Sequence, residues 1–353
     1  MSRKLSITPA FLRRISALAL ALLVVDTARA GEWLDGWRAT NAHWLGAHFW
    51  LRDDGSAREL LETFPRLAAT GVNAVILEVN HRFEFKSQPG LREAKFITQA
   101  RARELTLAAR TNGIRLIPQF NCLGHQSFGR RAVPLLAKHP EFNETPGIAA
   151  SDTNIYCLSW CPKSPGLTNI VFPLLDEMIT AFDADAFHVG MDEVYFIASD
   201  KCARCRGDDP AKTFAAVVNE LHRHLVGERK VEMLMWADRV IGTKYQGASR
   251  YDNARNDTSA CIGLLPRDIV MCDWHYEWRR EYPSVPYLLE KGFRVWPSGF
   301  TPAKTSQVFS DEVRRLANPR MLGYLCTTWN QTRIADSADW PPIRDVLRDW
   351  KTR

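Results

Sequence analysis

The sequence predicts an α/β fold, a (β/α)8 TIM barrel in a single domain. Eight short apolar runs alternate with longer amphipathic segments, an order that indicates a parallel sheet covered by helices. The count of eight favours a closed barrel over an open doubly wound sheet. The chain has 353 residues, 46% of them apolar and 24% charged, which excludes a disordered, collagen-like or polytopic membrane protein.

The elements follow one another regularly along the chain. The apolar runs are too short for helices and have the length of buried strands. They lie at residues 45–51, 72–79, 114–121, 186–191, 231–237, 268–276, 292–297 and 322–329. The amphipathic segments between them repeat apolar residues at helical spacing. They lie near residues 56–70, 100–112, 168–183, 211–228, 282–291, 309–318 and 341–352.

Residues 1–30 have the pattern of a secretory signal peptide and predict export to the periplasm or the extracellular space. Four basic residues precede an apolar run at residues 15–25, and Ala-Arg-Ala ends the segment at residues 28–30. This order is typical of a cleaved leader. An uncleaved anchor is the alternative, although the run is short for a membrane-spanning helix. We expect residues 31–353 to form the mature domain, with no membrane association after cleavage.

The net charge gives no support for nucleic-acid binding. The formal charge is +6, but five of the 46 basic residues and one of the 40 acidic residues lie in the predicted leader. The remaining chain therefore has a net charge of only +2. Nucleic-acid binding requires a clustered basic surface, and we predict no nucleic-acid partner.

Polar and aromatic residues gather at the carboxyl ends of the predicted strands. Alternation along a strand places the members of several pairs on a shared face. These pairs are Glu78 with Asn80, Gln119 with Asn121, Trp236 with Asp238, and Thr327 with Trp329. Active sites of (β/α)8 barrels lie at this end, and burying so many polar groups without partners would be costly. The pattern therefore predicts an active-site mouth.

The pair Asp192-Glu193 directly follows the apolar run at residues 186–191. At a strand end the pleat breaks, so both side chains can face one opening, and Gly190 leaves room beside them. Two nearby carboxylates do not ionise independently, because repulsion keeps a proton on one of them. A neutral acid beside an ionised carboxylate is what cleavage of a glycosidic bond requires.

Neighbouring residues are poorly placed to hold a sugar between them, so the pair favours a substrate that supplies its own nucleophile. The oxygen of a 2-acetamido group would attack the anomeric carbon while Asp192 orients the amide and stabilises the oxazolinium ion. Glu193 would protonate the leaving group and later activate water. A barrel-rim ion pair or an incidental metal ligand is the alternative without catalysis.

Four segments resemble motifs of glycoside hydrolase family 20, the β-N-acetylhexosaminidases. FHVGMDEV at residues 187–194 resembles the catalytic strand, with its pattern of His, aliphatic, Gly, any residue, Asp and Glu. LIPQFNCLGHQ at residues 116–126 resembles the third-strand motif that ends in Gly-His. MLMWADR at residues 233–239 resembles the fifth strand, and Trp329 with Gln331 resembles the Trp-x-Glu of the eighth. The resemblance spans residues 45–331.

The resemblance implies a substrate site around the acid pair. His125 takes the place of the motif histidine, and Trp236 is a candidate wall of the acetamido pocket. Tyr276 is the candidate for the tyrosine that hydrogen-bonds the acetamido group. The resemblance also implies substrate-binding positions at Glu78, Asp238, Trp329 and Gln331, and a weak counterpart of the family arginine at Arg52, where the spacing differs.

Three positions depart from the family pattern. Gln119 and Asn121 stand where acidic residues are usual, and Gln331 replaces the glutamate of the eighth strand. The likeness is greatest to the subgroup without a preceding α+β domain, such as hexosaminidase D-like proteins. Segments EVNHRF at residues 78–83 and DEVY at residues 192–195 carry it.

Two local cysteine pairs stand out, Cys157 with Cys161 and Cys202 with Cys205. They could form two disulfides, one four-thiolate structural zinc site, or a redox CxxC motif. We predict no catalytic metal and no cofactor, because no set of metal ligands recurs at helical or strand spacing.

The resulting hypothesis is an exported exo-β-N-acetylhexosaminidase that acts on a terminal amino sugar of a glycan, either GlcNAc or GalNAc. The amides at positions 119, 121 and 331 motivate a second hypothesis, a non-catalytic barrel that binds amino sugars. A third is a glycosidase whose second carboxylate is remote, such as Glu78 or Asp238. The sequence leaves the sugar epimer, the linkage and the oligomeric state open.

Overall fold

A computed structural model describes residues 31–246 and 251–351. The predicted signal peptide lies outside these residues and stays a prediction. The described chain forms two units, one ending at Ala42 and the other beginning at His43. In the first unit residues 31–40 are helical (α1). Within the described ranges, no helix combines the length and the apolar character that crossing a membrane requires.

The second unit contains eleven strands and ten α-helices among its described residues. The strands are β1 (Trp44–Trp50), β2 (Ala74–Glu78), β3 (Arg115–Cys122), β4 (Ser127–Phe128), β5 (Arg131–Ala132), β6 (Ala186–Gly190), β7 (Glu232–Trp236), β8 (Val270–Cys272), β9 (Arg294–Val295), β10 (Ser298–Gly299) and β11 (Gly323–Thr327). The helices are α2 (Asp54–Thr70), α3 (Gln99–Thr111), α4 (Pro134–Lys138), α5 (Leu167–Ala181), α6 (Pro210–His222), α7 (Thr243–Gln246), α8 (Ser284–Glu290), α9 (Ala303–Arg314), α10 (Pro341–Arg344) and α11 (Arg348–Lys351).

Nine of these strands form one parallel sheet, in the order β10-β11-β1-β2-β3-β6-β7-β8-β9. Its two end strands, β9 and β10, are separated only by Trp296 and Pro297, and they pair with β8 and β11 respectively. Together they form a single interrupted seventh strand, which closes the sheet into a barrel of eight. The predicted (β/α)8 fold is thereby confirmed. The remaining strands, β4 and β5, form a short antiparallel hairpin.

The sequence specifies where the covering helices begin and end. Asp53 caps α2 by accepting a hydrogen bond from the Ser56 N–H, and Gly71 ends that helix in the left-handed conformation at φ 109°. Thr98 caps α3 in the same way, and Asp209 caps α6. Such caps satisfy backbone N–H groups that have no partner within the helix, so each helix starts at a defined residue.

Alternate residues of each strand face opposite sides of the barrel wall. In β1, the side chains of Leu45, Ala47 and Phe49 join the apolar core beneath the helices. His48 has the opposite parity, is completely buried and packs edge-on against the ring of Trp236 at 5.8 Å. Apolar side chains therefore pack between the strands and the helices, while the interior of the barrel contains polar and aromatic groups.

An ion cluster occupies the amino-terminal end of the barrel. Arg115, at the start of β3, is completely buried, and its Nε donates to Asp185 Oδ1 at 2.6 Å. Its Nη1 lies 3.0 Å from Oε2 of Glu232, at the start of β7. Arg294, at the start of β9, donates to the other oxygen of that carboxylate. At this end of the barrel, each buried charge therefore lies next to a charge of the opposite sign.

Besides shifts of element boundaries and the helix predicted near residues 341–352, which is divided into α10 and α11, two regions differ from the sequence-based expectation. The predicted strand at residues 292–297 is divided, because Pro297 has no N–H to contribute to the ladder. The predicted helix at residues 211–228 is an α-helix only to His222 and continues as a π-helical segment over Arg223–Glu228. Neither difference moves the carboxyl ends of the strands that carry the predicted site residues.

Candidate active site

A cavity of about 880 Å³ opens at the carboxyl ends of the barrel strands. Its charged and amide lining includes Glu78, Asn121, His125, Asp192, Glu193 and Gln331. Its aromatic lining includes Trp50, Phe128, Tyr156, Trp236, Trp274, Tyr276 and Trp329. The hairpin β4–β5 borders the same opening through Phe128, Arg131 and Ala132. We call this space the rim cavity; most of the predicted substrate-site residues line it.

The end of β6 is shaped so that two consecutive acids reach the rim cavity. Gly190 and Met191 have φ values of 69° and 72°, and Glu193 has φ 50°. These left-handed conformations break the pleat, as the sequence indicated, and both carboxylates line the rim cavity. Gly190 is required here, because a Cβ at this position would lie 2.6 Å from Oδ1 of Asn121. Strain in non-glycine residues of this kind is characteristic of functional sites.

His125 joins the two acids. Its Nε2 lies 3.1 Å from Asp192 Oδ2 and 3.2 Å from Glu193 Oε2. The three ligand atoms lie within 4.8 Å of one another. The two acids are 8% and 7% exposed, so this contact is largely shielded from bulk water. One imidazole therefore fixes the positions of both carboxylates.

The electrostatics of this contact favour an ion pair. Burial disfavours the charged form of His125, but the charge of Asp192, a contribution from Cys157 and the hydrogen bonds to both acids together outweigh it and raise the His125 pKa well above its ordinary 6.5. Burial likewise tends to raise the pKa of Asp192, but the charge and hydrogen bond of His125 hold it below its ordinary value. Asp192 is therefore ionised at neutral pH. Its second oxygen, Oδ1, is buried and receives no hydrogen bond from the described residues.

Neighbouring polar groups form hydrogen bonds with Glu193. Its backbone N–H donates to Asp238 Oδ2 at 2.9 Å, and the Tyr195 hydroxyl donates to Glu193 Oε1 at 3.3 Å. Asp238 also accepts from Arg239 Nε at 2.6 Å and from Trp274 Nε1 at 3.3 Å. Burial raises the pKa of Asp238 to about 6 despite the guanidinium beside it. Asp238 thus positions the backbone of Glu193 and is not itself in the cavity lining.

Glu78 lies lower in the barrel and is surrounded by donors. Its Oε2 is 3.2 Å from His48 Nε2 and accepts from Gln119 Nε2 at 3.1 Å. Its Oε1 accepts from Asn80 Nδ2 at 2.8 Å and from Asn121 Nδ2 at 3.1 Å. The two amides that depart from the family pattern therefore serve as donors to this carboxylate. Acids at those positions would instead place like charges beside it.

Aromatic rings form one wall of the rim cavity. The rings of Trp236 and Trp329 lie 6.1 Å apart, and Trp329 Nε1 donates to the Tyr276 hydroxyl at 2.7 Å. Trp274 packs on Tyr276 with ring centroids 4.9 Å apart. Such apolar faces with polar edges are suited to packing against a sugar ring. The structure brings these four side chains and Gln331 to the same cavity.

Arg52 is not brought into the cavity lining. Its Nη2 donates to Oδ1 of Asn330 at 3.0 Å from outside. Arg82 lines the rim cavity instead, with its guanidinium 4.7 Å above the ring of Trp50. Arg82 was not predicted from the sequence, although it lies two residues after Asn80, within a segment that carries the family resemblance. Tyr156, in the long connection after β3, was missed because no periodic pattern marks it.

The four cysteines of the predicted pairs do not come together. The sulfurs of Cys161, Cys202 and Cys205 form a buried cluster, whereas Cys157 Sγ donates to the backbone oxygen of Glu193 at 3.5 Å. Glu144 takes the fourth place in the cluster. All eight cysteines have free thiols.

The model for the catalytic domain of glycosyl hydrolase family 20 matches residues 46–295. The chain belongs to glycosyl hydrolase family 20. The predicted family resemblance is confirmed, and the match covers β1 through β9.

The relatives of this family 20 chain have low sequence identity to it. It is 24% identical to a β-hexosaminidase of Vibrio furnissii over 321 residues, which cover 81% of this chain and 48% of the relative. It is 23% identical to human hexosaminidase D over 147 residues, which cover 41% of this chain and 28% of the relative. The chain thus spans about half the length, or less, of these relatives.

Solved structures of family 20 proteins share the fold. A chitobiase of Flavobacterium johnsoniae superposes with a TM-score of 0.64 at 17% sequence identity. The match covers 86% of this chain and 47% of that one. At this identity the likeness supports the barrel alone.

Proposed function

We propose that this chain is a β-N-acetylhexosaminidase that removes a terminal β-linked GlcNAc or GalNAc from a glycan by substrate-assisted, retaining hydrolysis. Family membership supports the reaction class. The pattern of residues 1–30 supports export, to the periplasm or the extracellular space. The proposed chemistry draws its acid, base and nucleophile from Glu193 and the substrate, without a cofactor.

The observation that carries the proposal is that Asp192 and Glu193 are consecutive residues at the end of one strand and contact the same imidazole. The oxygens that contact His125 lie within 4.8 Å of each other, and both acids approach from the end of one strand. Inverting glycosidases separate their carboxyl groups by about 6.5–9.5 Å to admit a water molecule. Ordinary retaining enzymes place a nucleophile across the sugar from the acid, at about 5–5.5 Å. Two consecutive residues that contact one imidazole approach a sugar from the same side, so neither lies across the sugar from the other, and we infer that the substrate supplies the nucleophile.

The buried Oδ1 of Asp192 supports the role of an acetamido group. An ionised carboxylate oxygen without a donor is costly in a shielded site, and an amide N–H of the substrate would satisfy it. That hydrogen bond turns the acetamido oxygen towards the anomeric carbon. The same negative charge stabilises the positive oxazolinium ion that forms.

The reaction then proceeds in two steps. The acetamido oxygen bonds to the anomeric carbon as the glycosidic C–O bond breaks, and Glu193 gives its proton to the departing oxygen. Glu193 next takes a proton from water, which attacks the same carbon and reopens the oxazolinium ring. Each step inverts the anomeric centre, so the product keeps the β configuration of the substrate.

The contacts of Glu78 and Asp238 weigh against a remote second carboxylate. Glu78 already accepts from three amides and contacts His48, and Asp238 is bound to Arg239 behind the reacting pair. A binding-only barrel was motivated by the amides at positions 119, 121 and 331. Gln119 and Asn121 donate to Glu78, Gln331 lines the rim cavity, and the acid pair is present beside all three amides.

A substrate panel tests the proposal. We expect turnover of aryl β-GlcNAc or aryl β-GalNAc and none of the matched aryl β-glucoside, which lacks the acetamido group. NMR of the first product should show the β anomer, and a thiazoline mimic of the oxazolinium ion should inhibit competitively. Equal hydrolysis of the glucoside, or an α product, would contradict the mechanism. Binding of amino sugars by folded protein without turnover would favour the binding-only barrel.

A further inference from the structure

We propose that Cys161, Cys202, Cys205 and Glu144 form a structural zinc site that ties together two loops bordering the rim cavity. The site lies outside the cavity lining, and it does not depend on the proposed catalytic activity. It differs from the four-cysteine set suggested by sequence spacing, because a carboxylate replaces Cys157.

The four side chains converge on one point. The sulfur of Cys161 lies 3.2 Å from that of Cys205 and 3.4 Å from that of Cys202. The three sulfurs and one oxygen of Glu144 all lie within 4.8 Å of one another. Zinc with Zn–S bonds of about 2.3 Å needs sulfurs about 3.8 Å apart in a tetrahedron, so a shift of a few tenths of an ångström completes the site.

The carboxylate supplies a second, independent indication. Glu144 is completely buried, and its Oε1 accepts a hydrogen bond from the Ser199 N–H at 2.8 Å. No donor among the described residues reaches its buried Oε2. A buried carboxylate oxygen without a partner is costly, and a cation bound by the adjacent sulfurs would satisfy it.

The composition of the cluster selects zinc. Thiolates together with one carboxylate in a closed four-ligand set match a structural zinc centre, which has no open coordination position. A disulfide would need two sulfurs at about 2.05 Å and would leave the third cysteine and Glu144 without partners. Binding of Zn²⁺ converts three thiols to thiolates and releases their three protons to solvent.

Bound zinc would stabilise the two loops that contain His125 and the acid pair. Cys161 and Glu144 belong to the connection after β3, and Cys202 and Cys205 follow β6. Next to Cys161, the Trp160 N–H donates to the backbone oxygen of Leu123, two residues before His125. Zinc would therefore hold the His125 loop against the loop that begins with Asp192 and Glu193. The proposed effect is structural: it fixes the distance between these two loops.

Metal content and thiol count of the purified wild-type protein test the proposal. After incubation with zinc under reducing conditions and exhaustive dialysis, we expect about one zinc per chain. After unfolding with a chelator, all eight cysteines should titrate as thiols. Cobalt substitution should give the near-ultraviolet thiolate-to-metal charge-transfer band. Retention of no zinc overturns the proposal, whether the thiol count is eight or is lowered by a disulfide.

Variants locate the site. Cys202→Ser should lose stoichiometric zinc, and Glu144→Gln should release zinc to a competing chelator more readily than wild type. The matched controls Cys157→Ser and Cys261→Ser, both at buried cysteines outside the cluster, should retain one zinc. Zinc loss from Cys157→Ser together with retention in Glu144→Gln would replace this ligand set by the four cysteines. The wild-type measurement remains decisive if a variant fails to fold.

Discussion

The two ends of the barrel treat buried charge in opposite ways. At the amino-terminal end, Arg115 is shared between Asp185 and Glu232, and Arg294 completes the set with two cations and two anions. At the carboxyl-terminal end, Asp192 and Glu193 both contact His125, and among the described residues no donor reaches the buried Oδ1 of Asp192. The charges of the first set balance within the protein, whereas the second set places two acids against one imidazole.

This contrast separates stability from function. A buried charge that is paired within the protein is not available to bind a ligand. If its partner is removed, the remaining charge stays buried without compensation, and the folded protein loses stability. An incompletely paired charge destabilises the folded protein and is retained where it binds substrate. Substitutions at the two ends should therefore have opposite signatures: lost activity at one and lost stability at the other.

The largest expected effect is on catalysis, from Glu193→Gln. Glutamine cannot donate or accept the transferred proton, so kcat/KM for a substrate with a poor leaving group should fall about 10²- to 10⁴-fold. The loss should be smaller for an activated aryl leaving group, which departs without protonation. Steady-state kinetics on the two substrate types measure this difference.

The control for this variant is its stability. Glutamine has nearly the shape of glutamate, and removing a carboxyl group that lies beside the ionised Asp192 should leave the free energy of unfolding unchanged or slightly raised. Wild-type turnover of the poor substrate by Glu193→Gln would remove Glu193 from the proposed role. A large loss of stability would break the contrast between the two barrel ends.

At the opposite end, Glu232→Gln should destabilise the protein by about 3 kcal/mol, the lower part of the range for breaking a buried ion pair. The lower value is expected because Arg115 retains Asp185. Chemical denaturation measures the change, and kcat/KM of the folded variant should stay within about twofold of wild type. A stable but inactive variant would show that the amino-terminal cluster contributes to function.

The sequence predicted the elements and the acid pair for physical reasons. Buried parallel strands are continuous apolar runs, so all eight were located, and Asp192-Glu193 was conspicuous because it directly follows one of them. The start of α9 was placed too late, near residue 309 instead of Ala303, because its first turns are mostly polar. Local pattern therefore identified elements better than their boundaries.

Residues whose positions depend on the path of a long loop could not be predicted. Glu144 and Tyr156 lie between β3 and α5, where no period of apolar residues constrains the backbone. Glu144 meets three cysteines only because that connection packs on the loop after β6. Arg82 replaces Arg52 at the cavity for a similar reason: the turn after β2, not sequence spacing from β1, decides which guanidinium reaches it.

A smaller effect is expected from His125→Asn on the pH profile. His125 lowers the pKa of Asp192, so without it burial raises that pKa and Asp192 protonates at a higher pH. Because the proposed mechanism requires the ionised carboxylate of Asp192, the acidic limb of kcat/KM against pH should move to higher pH. If the acidic limb stays at the wild-type pH and kcat/KM is lower by the same factor at every pH, His125 only stabilises the loop that contains it.

The smallest expected effect is on the pH dependence of stability at the amino-terminal end of the barrel. Burial tends to raise the pKa of Glu232, but Arg115 and Arg294 outweigh it and hold the pKa below its ordinary 4.5. A group with a lowered folded pKa stabilises the protein above its unfolded pKa, and that contribution is lost as pH falls through the folded pKa. The stability difference between wild type and Glu232→Gln should therefore be full near neutral pH and shrink below 4.5. Denaturation over this pH range measures it, and a difference that grows on acidification would contradict the assigned pairing.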